Sequence, residues 1–197
     1  MRLVKGIMIF ACIAFLAASC AKAPLTKIEE AKKAVSDLKA DKEVSSYAKE
    51  AMANLDKSVQ DLDAELKVQE GKLFKSYVKT GSIIDSIVSG IDDAKKSAVT
   101  GKESAKNEVK TDLVTLPASI SSKEKKVADA KAKGLKIDFA AAKTTFTDAR
   151  KSLADAKIDN DKGEFADALD KLNAVKTSLK ALDDTMANAA GTKTANK

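Results

Sequence analysis

Between Phe139 and Ala156, apolar residues fall at alternating steps of three and four: Phe139, Ala142, Phe146, Ala149, Leu153, Ala156. That spacing admits little besides one face of an α-helix packed in left-handed fashion against another. The same stepping recurs in Leu25, Ile28, Ala31, Val35 and Leu38, and in Tyr47, Ala51, Leu55, Val59, Leu62 and Leu66. It returns in Phe165, Ala168, Leu169, Leu172, Val175, Leu179, Leu182 and Met186. The pattern predicts an all-α protein, an antiparallel helical bundle with long helical hairpins.

Start and stop signals divide the pattern. Thr26-Lys27-Ile28-Glu29 and Ser121-Ser122-Lys123-Glu124 fit capping boxes, and Asp138 can cap a further helix. The first helix is expected to run to about Ala40, with a break over Asp41 to Ser46 and a second helix to Val68. Gln69-Glu70-Gly71 reads as a tight turn into a third helix carrying Leu73, Phe74, Tyr77, Ile84, Ile87, Val88, Ile91 and Ala94. Gly81 and Gly90 lie inside it, each unfavourable by about 1 kcal/mol unless a neighbouring helix needs the close approach. Thr100-Gly101 looks like a break, and Pro117 disfavours helix at the residue before it. Ala105, Val109, Leu113 and Leu116 nevertheless keep a helical step, which predicts a short, weakly held helix ending before Pro117. Gly134 suits a helix C-terminus, Asp159 to Lys162 is expected to turn the chain, and Gly163 opens the last helix.

The halves match at an offset of 92 residues: Val35 with Val127, Tyr47 with Phe139, Gly71 with Gly163, Leu73 with Phe165 and Ile87 with Leu179. Two similar three-helix units are therefore expected, over residues 20–97 and 119–187. Residues 98–118 would form a linker or weak helix, and 188–197 a disordered tail. Gly71 and Gly163 are the expected hairpin turns. Gly163-Glu164-Phe165-Ala166-Asp167-Ala168 resembles the Gly-x-aromatic-x-x-Ala turn of tetratricopeptide hairpins, although no 34-residue period accompanies it.

Residues 1–19 form a separate signal: Arg2 and Lys5, an apolar run from Ile7, then small residues. Even counted from Leu3 to Ser19, the run of about 17 residues is at the lower limit for spanning a membrane. Leu16-Ala17-Ala18-Ser19-Cys20 resembles the lipobox of bacterial lipoproteins. The resemblance implies cleavage between Ser19 and Cys20 and a covalent lipid on Cys20, with no other cofactor. Several acyl chains hold a protein to a bilayer where one does not. Ala21 after the cysteine resembles an outer-membrane sorting signal, which implies a lipid-anchored envelope protein; the periplasmic side is the expected face, with the outward face as the alternative. With Pro24, Tyr47-Ala48, Gly71, Phe139-Ala140 and Gly163, the chain also resembles small Ala/Lys/Glu-rich envelope lipoproteins built on helical domains of unknown function.

The signal carries Cys12 and two positive charges, so maturation leaves Cys20 as the sole cysteine and lowers the formal charge from +6 to +4. No thiol then remains for a disulfide or soft-metal site. The chain has no histidine, hence neither the usual neutral-pH base nor the commonest metal ligand. Its carboxylates alternate with lysines on polar helix faces, as solvated surface charge does, so no enzyme activity, metal site or nucleic-acid partner is expected. The expected role is a non-enzymatic scaffold or protein-interaction module, bound to the membrane through its lipid, with an envelope protein or a second copy as partner. Two other roles use the same helices: an outward-facing adhesin or antigen, and a carrier of an apolar ligand lined by Tyr47, Tyr77, Phe139, Phe146 and Phe165.

Overall fold

One helix runs through most of the molecule and belongs to both of its cores. The computed structural model describes residues 23–194, and among these the elements are α1 (Leu25–Ala40), α2 (Lys42–Tyr47), α3 (Lys49–Glu70), α4 (Val78–Ala132), α5 (Phe139–Lys162) and α6 (Phe165–Thr194). The protein is an all-α helical bundle. At 1.5 Å per residue the 55-residue α4 spans roughly 80 Å.

The first core joins Ile28, Val35 and Leu38 of α1 to Leu55 and Leu62 of α3 and Ile84, Ile87 and Ile91 in the first half of α4. The second joins Val109, Leu116, Ile120 and Val127 in the second half of α4 to Phe146 and Ala149 of α5 and Leu172, Val175 and Leu179 of α6. The first unit is thus four helices, short α2 adding buried Val44 to its core, and the second is three, with α4 contributing the last helix of one and the first helix of the other. In the first unit α1 and α3 run antiparallel, cross-linked by Lys32–Asp63 and by Lys39–Asp56 at 2.5 Å.

Helix ends are set by local chemistry where suitable side chains exist. The Asp41 carboxylate accepts from the backbone N–H groups of Glu43 and Val44 and starts α2 inside the expected break. The Asp138 carboxylate accepts from those of Ala140 and Ala141 and starts α5, as its sequence position predicts. Gly134 and Gly163, with φ of 66° and 80°, close α4 and α5. In both, the next N–H donates to a carbonyl five residues back, Leu135 to Ala130 and Glu164 to Asp159, the bonding of a Schellman cap.

Several boundaries differ from those expected. α4 has no break at Thr100-Gly101 and no end before Pro117; residues 98–118 are its middle. Pro117 lies on the exposed face, while Leu116 and Ile120 beside it are buried in the second core and hold the turns on either side. Ser121 to Glu124 therefore starts nothing, and Thr26 caps nothing, because α1 begins at Leu25 after Pro24. Leu73 and Phe74 precede α4 in a loop. α5 continues through Asp159 to Lys162, and α6 reaches Thr194 across most of the expected tail.

The duplication is present, but its register drifts. Ile28, Val35 and Leu38 correspond to Ile120, Val127 and Ala130 at the offset of 92. Met52, Leu55, Leu62 and Glu65 correspond to Phe146, Ala149, Ala156 and Asp159 at 94. Thr80, Ile84, Ile87, Ile91 and Ala94 correspond to Ala168, Leu172, Val175, Leu179 and Leu182 at 88. All of these are buried. The last slip accompanies hairpin loops of different length, residues 71–77 in the first unit against Gly163 and Glu164 in the second. The offset of 92 thus pairs Leu73, in a loop, with Phe165, in a helix.

A proline in a helix interior is less favourable than alanine by about 3 kcal/mol. Pro117→Ala is therefore expected to stabilise the protein by up to that amount, raising Tm by roughly 2–4 °C per kcal/mol in a thermal melt. An unchanged or lowered Tm would show that α4 has adapted to the proline.

Candidate functional site

Ser19 and Cys20, the expected cleavage and lipidation residues, lie outside the described residues. The structure does place the helix that follows them. Leu25 precedes Lys32 by seven residues and Glu70 follows its partner Asp63 by seven, so α1 begins where α3 ends. The start of α1 and the loop 71–77 therefore share one end of the molecule. Of the two expected hairpin glycines, Gly163 takes the left-handed conformation that favours glycine, whereas Gly71 has φ of −80° and merely opens the longer loop.

That loop is pinned at its base and apolar at its tip. Gln69, buried, donates from Nε2 to Glu65 Oε1 at 2.6 Å and accepts from the Ser76 N–H at 2.9 Å. Lys79 Nζ, from the first turn of α4, lies 2.8 Å from Glu65 Oε2. Beyond this network Leu73, Phe74 and Val78 are 92%, 88% and 80% exposed, and Val68, which lines one surface depression with Val78, is half-exposed. From Lys67 to Lys79 the chain carries four lysines against one glutamate, Glu70. Sequence periodicity alone misses this tip, because Leu73 and Phe74 extend the apolar stripe of the following helix; the flanking Lys72 and Lys75 are the signal that marks it.

Hydrogen bonds from Lys79 and Gln69 hold the Glu65 carboxyl below its ordinary value of 4.5, against the opposing effect of burial. A depressed folded-state value contributes stability that is present above 4.5 and is lost as pH falls through it. Glu65→Gln is expected to destabilise the protein at neutral pH and to flatten the acid limb of its stability profile. Denaturant titrations at a series of pH values check this, and parallel profiles would refute it. The second unit repeats the device with Lys171 of α6 paired to buried Asp159 of α5.

A second constellation lies midway along α4. The Tyr47 hydroxyl accepts from the N–H of Ala166 at 3.0 Å, joining the α2–α3 corner of the first unit to the start of α6 in the second. The Tyr47 backbone sits so close to Gly101 that a Cβ on Gly101 would lie 2.6 Å from the Tyr47 carbonyl oxygen. Glu43 pairs with Lys102 beside it. Further along, Lys176 of α6 bridges Glu108 at 2.9 Å and Asp112 at 2.8 Å on α4. Burial alone would lower the Lys176 ammonium, but its hydrogen bonds to Asp112 and Glu108 raise it above the usual lysine value.

The five aromatic residues considered for an apolar ligand are dispersed. Phe146 is buried in the second core with Phe139 packed against it, Tyr47 is at the central joint, Tyr77 precedes α4 and Phe165 opens α6. Two open surface depressions lie at opposite ends of the molecule, one beside Glu65, Lys72 and Val78, the other between Lys126, Leu135 and Met186. Among the described residues no helix is long and apolar enough to cross a membrane, and no three His, Cys, Asp or Glu side chains cluster as metal ligands would. No family model, curated protein or solved structure matches the chain.

Proposed function

We propose that the protein is a non-enzymatic envelope lipoprotein, a helical spacer anchored by a lipid on Cys20 that presents a protein-binding surface away from the membrane. The observation that carries this reading is the placement of the first helix. Leu25 is five residues after Cys20 and sits at one extreme of the molecule, from which α4 leads roughly 80 Å to the α4–α5 turn. A lipid near one end and a continuous helix leading to the other suit a device that holds a surface at a distance. The α4–α5 turn, with Lys126, Leu135 and Met186 near it, is the surface so presented, and an envelope protein is its partner. The outer membrane, periplasmic side, is the proposed location.

Mass spectrometry of the protein extracted from membranes tests the anchor. The mature chain is expected to begin at Cys20 and carry acyl mass, and Cys20→Ala is expected to remain unprocessed. A native protein without acyl mass, or a variant processed like the wild type, would remove the basis of the proposal. Protease added to intact cells is expected to leave the protein whole and to digest it after the outer membrane is permeabilised. In-cell crosslinking from the α4–α5 turn then identifies the partner.

A further inference from the structure

Nothing in the spacer reading requires an exposed leucine and phenylalanine at the anchored end, yet the structure holds them there. Isolated exposed apolar residues are ordinary on a protein surface. Leu73 and Phe74 are different because they are adjacent and almost wholly exposed, with two further exposed valines, Val68 and Val78, close to them in the chain. The Glu65–Gln69–Ser76–Lys79 network fixes the loop base without drawing the tip into the core.

We propose that the loop 71–77 is a membrane-contact element, with Leu73 and Phe74 entering the interfacial region of an anionic phospholipid bilayer beside the lipid on Cys20. The proposal rests on the lipoprotein reading and deepens it. Leu25 is five residues after Cys20, and an extended chain covers roughly 3.3–3.6 Å per residue. The start of α1 is thereby held within about 17 Å of the acylated cysteine. Loop 71–77 occupies the same end of the first unit, as the pairing of Lys32 with Asp63 and of Lys39 with Asp56 requires. Contact with the bilayer is then an intramolecular event, helped by high effective concentration, so a small apolar tip suffices.

Charge selects the bilayer. Lys72 and Lys75 flank the tip directly in sequence, Lys67 precedes it and Lys27 lies in the first turn of α1, while Lys79 is paired with Glu65 and Glu70 is the one acid between Lys67 and Lys79. Apolar side chains flanked by lysines are the composition that binds at an anionic headgroup region, the apolar groups shallowly buried and the ammonium groups among the phosphates. A lipid tether alone leaves the molecule free to swivel. A second contact beside it restricts that freedom and stands α4 away from the surface, which a spacer requires.

The chain lacks tryptophan, so Phe74→Trp introduces a single reporter at a position where nothing packs against it. The processed full chain is reconstituted into phosphatidylethanolamine–phosphatidylglycerol vesicles, and its acyl mass is measured on the same sample. Val114→Trp, on an exposed position of α4 in the second unit, is the reference. The Phe74→Trp indole is expected to emit further to the blue than the reference and to be quenched by brominated acyl chains, and adding Leu73→Asp is expected to weaken both effects. Acylated protein in which both indoles behave as water-exposed would overturn the contact and leave the anchor intact. Absence of acyl mass would remove the anchor and the contact together. A blue shift that grows with protein concentration and ignores brominated lipid would assign the tip to a second copy of the chain, against this proposal.

Discussion

Leu62→Ala is expected to destabilise the first unit by roughly 2–5 kcal/mol while leaving the second folded. Leu62 is fully buried in the first core among α1, α3 and α4, and truncation leaves a cavity that helices held by several other aliphatic contacts close only in part. The two cores share no residue; they share only the backbone of α4. Stability in such an arrangement is close to a sum of unit terms plus a term for the junction. In native-state hydrogen exchange, amides of α1 and α3 should lose protection while those of α5 and α6 keep theirs, and Leu172→Ala should produce the converse. Equal loss across both units would show a junction strong enough to make the molecule one cooperative block.

Local rules read most of this fold and misread its centre. Val35, Leu38, Leu55, Leu62, Phe146, Ala149, Leu172 and Leu179 were all placed on apolar faces by spacing alone, and all are buried. Asp138 and Gly134 act at the helix ends where their chemistry suggests. The continuity of α4 was not legible, because Gly101, Pro117 and Ser121 each carry a break or start signal that tertiary packing overrides. Leu116 and Ile120 fix the turns around Pro117 in the second core, and Gly101 is a glycine to admit the Tyr47 backbone, not to end a helix. The repeat was legible as a single offset, but loops of unequal length shift it between helices. As for the candidate sites, neither Tyr47 nor the tip could be assigned without knowing which helices run antiparallel. Cys20 is the reverse case, a residue whose proposed role rests on sequence and lies outside the described residues.

Gly101→Val is expected to open the joint between the units and to destabilise the protein by roughly 1–3 kcal/mol, the range for overpacking a close contact. A Cβ at this position would lie 2.6 Å from the Tyr47 carbonyl oxygen and 3.1 Å from the Tyr47 Cβ. The first of these is backbone and cannot rotate aside, so the α2–α3 corner must move off α4. Gly90 provides the contrast: its added Cβ would meet only the end of the Leu55 side chain, at 2.8 Å, which can change rotamer. Gly90→Ala should therefore be milder than Gly101→Ala. Moving the corner also withdraws the Tyr47 hydroxyl from the Ala166 N–H it accepts from in the first turn of α6, so Tyr47→Phe should reproduce part of the loss, about 0.5–1.5 kcal/mol. Because both changes act on one contact, the double variant Gly101→Val/Tyr47→Phe should be less destabilised than the sum of the singles. Amide exchange at Ala166 gives a local readout. Protection lost there in Gly101→Val but kept in Gly90→Ala would place the coupling of the units at Tyr47, whereas full additivity would place it in the α4 backbone alone.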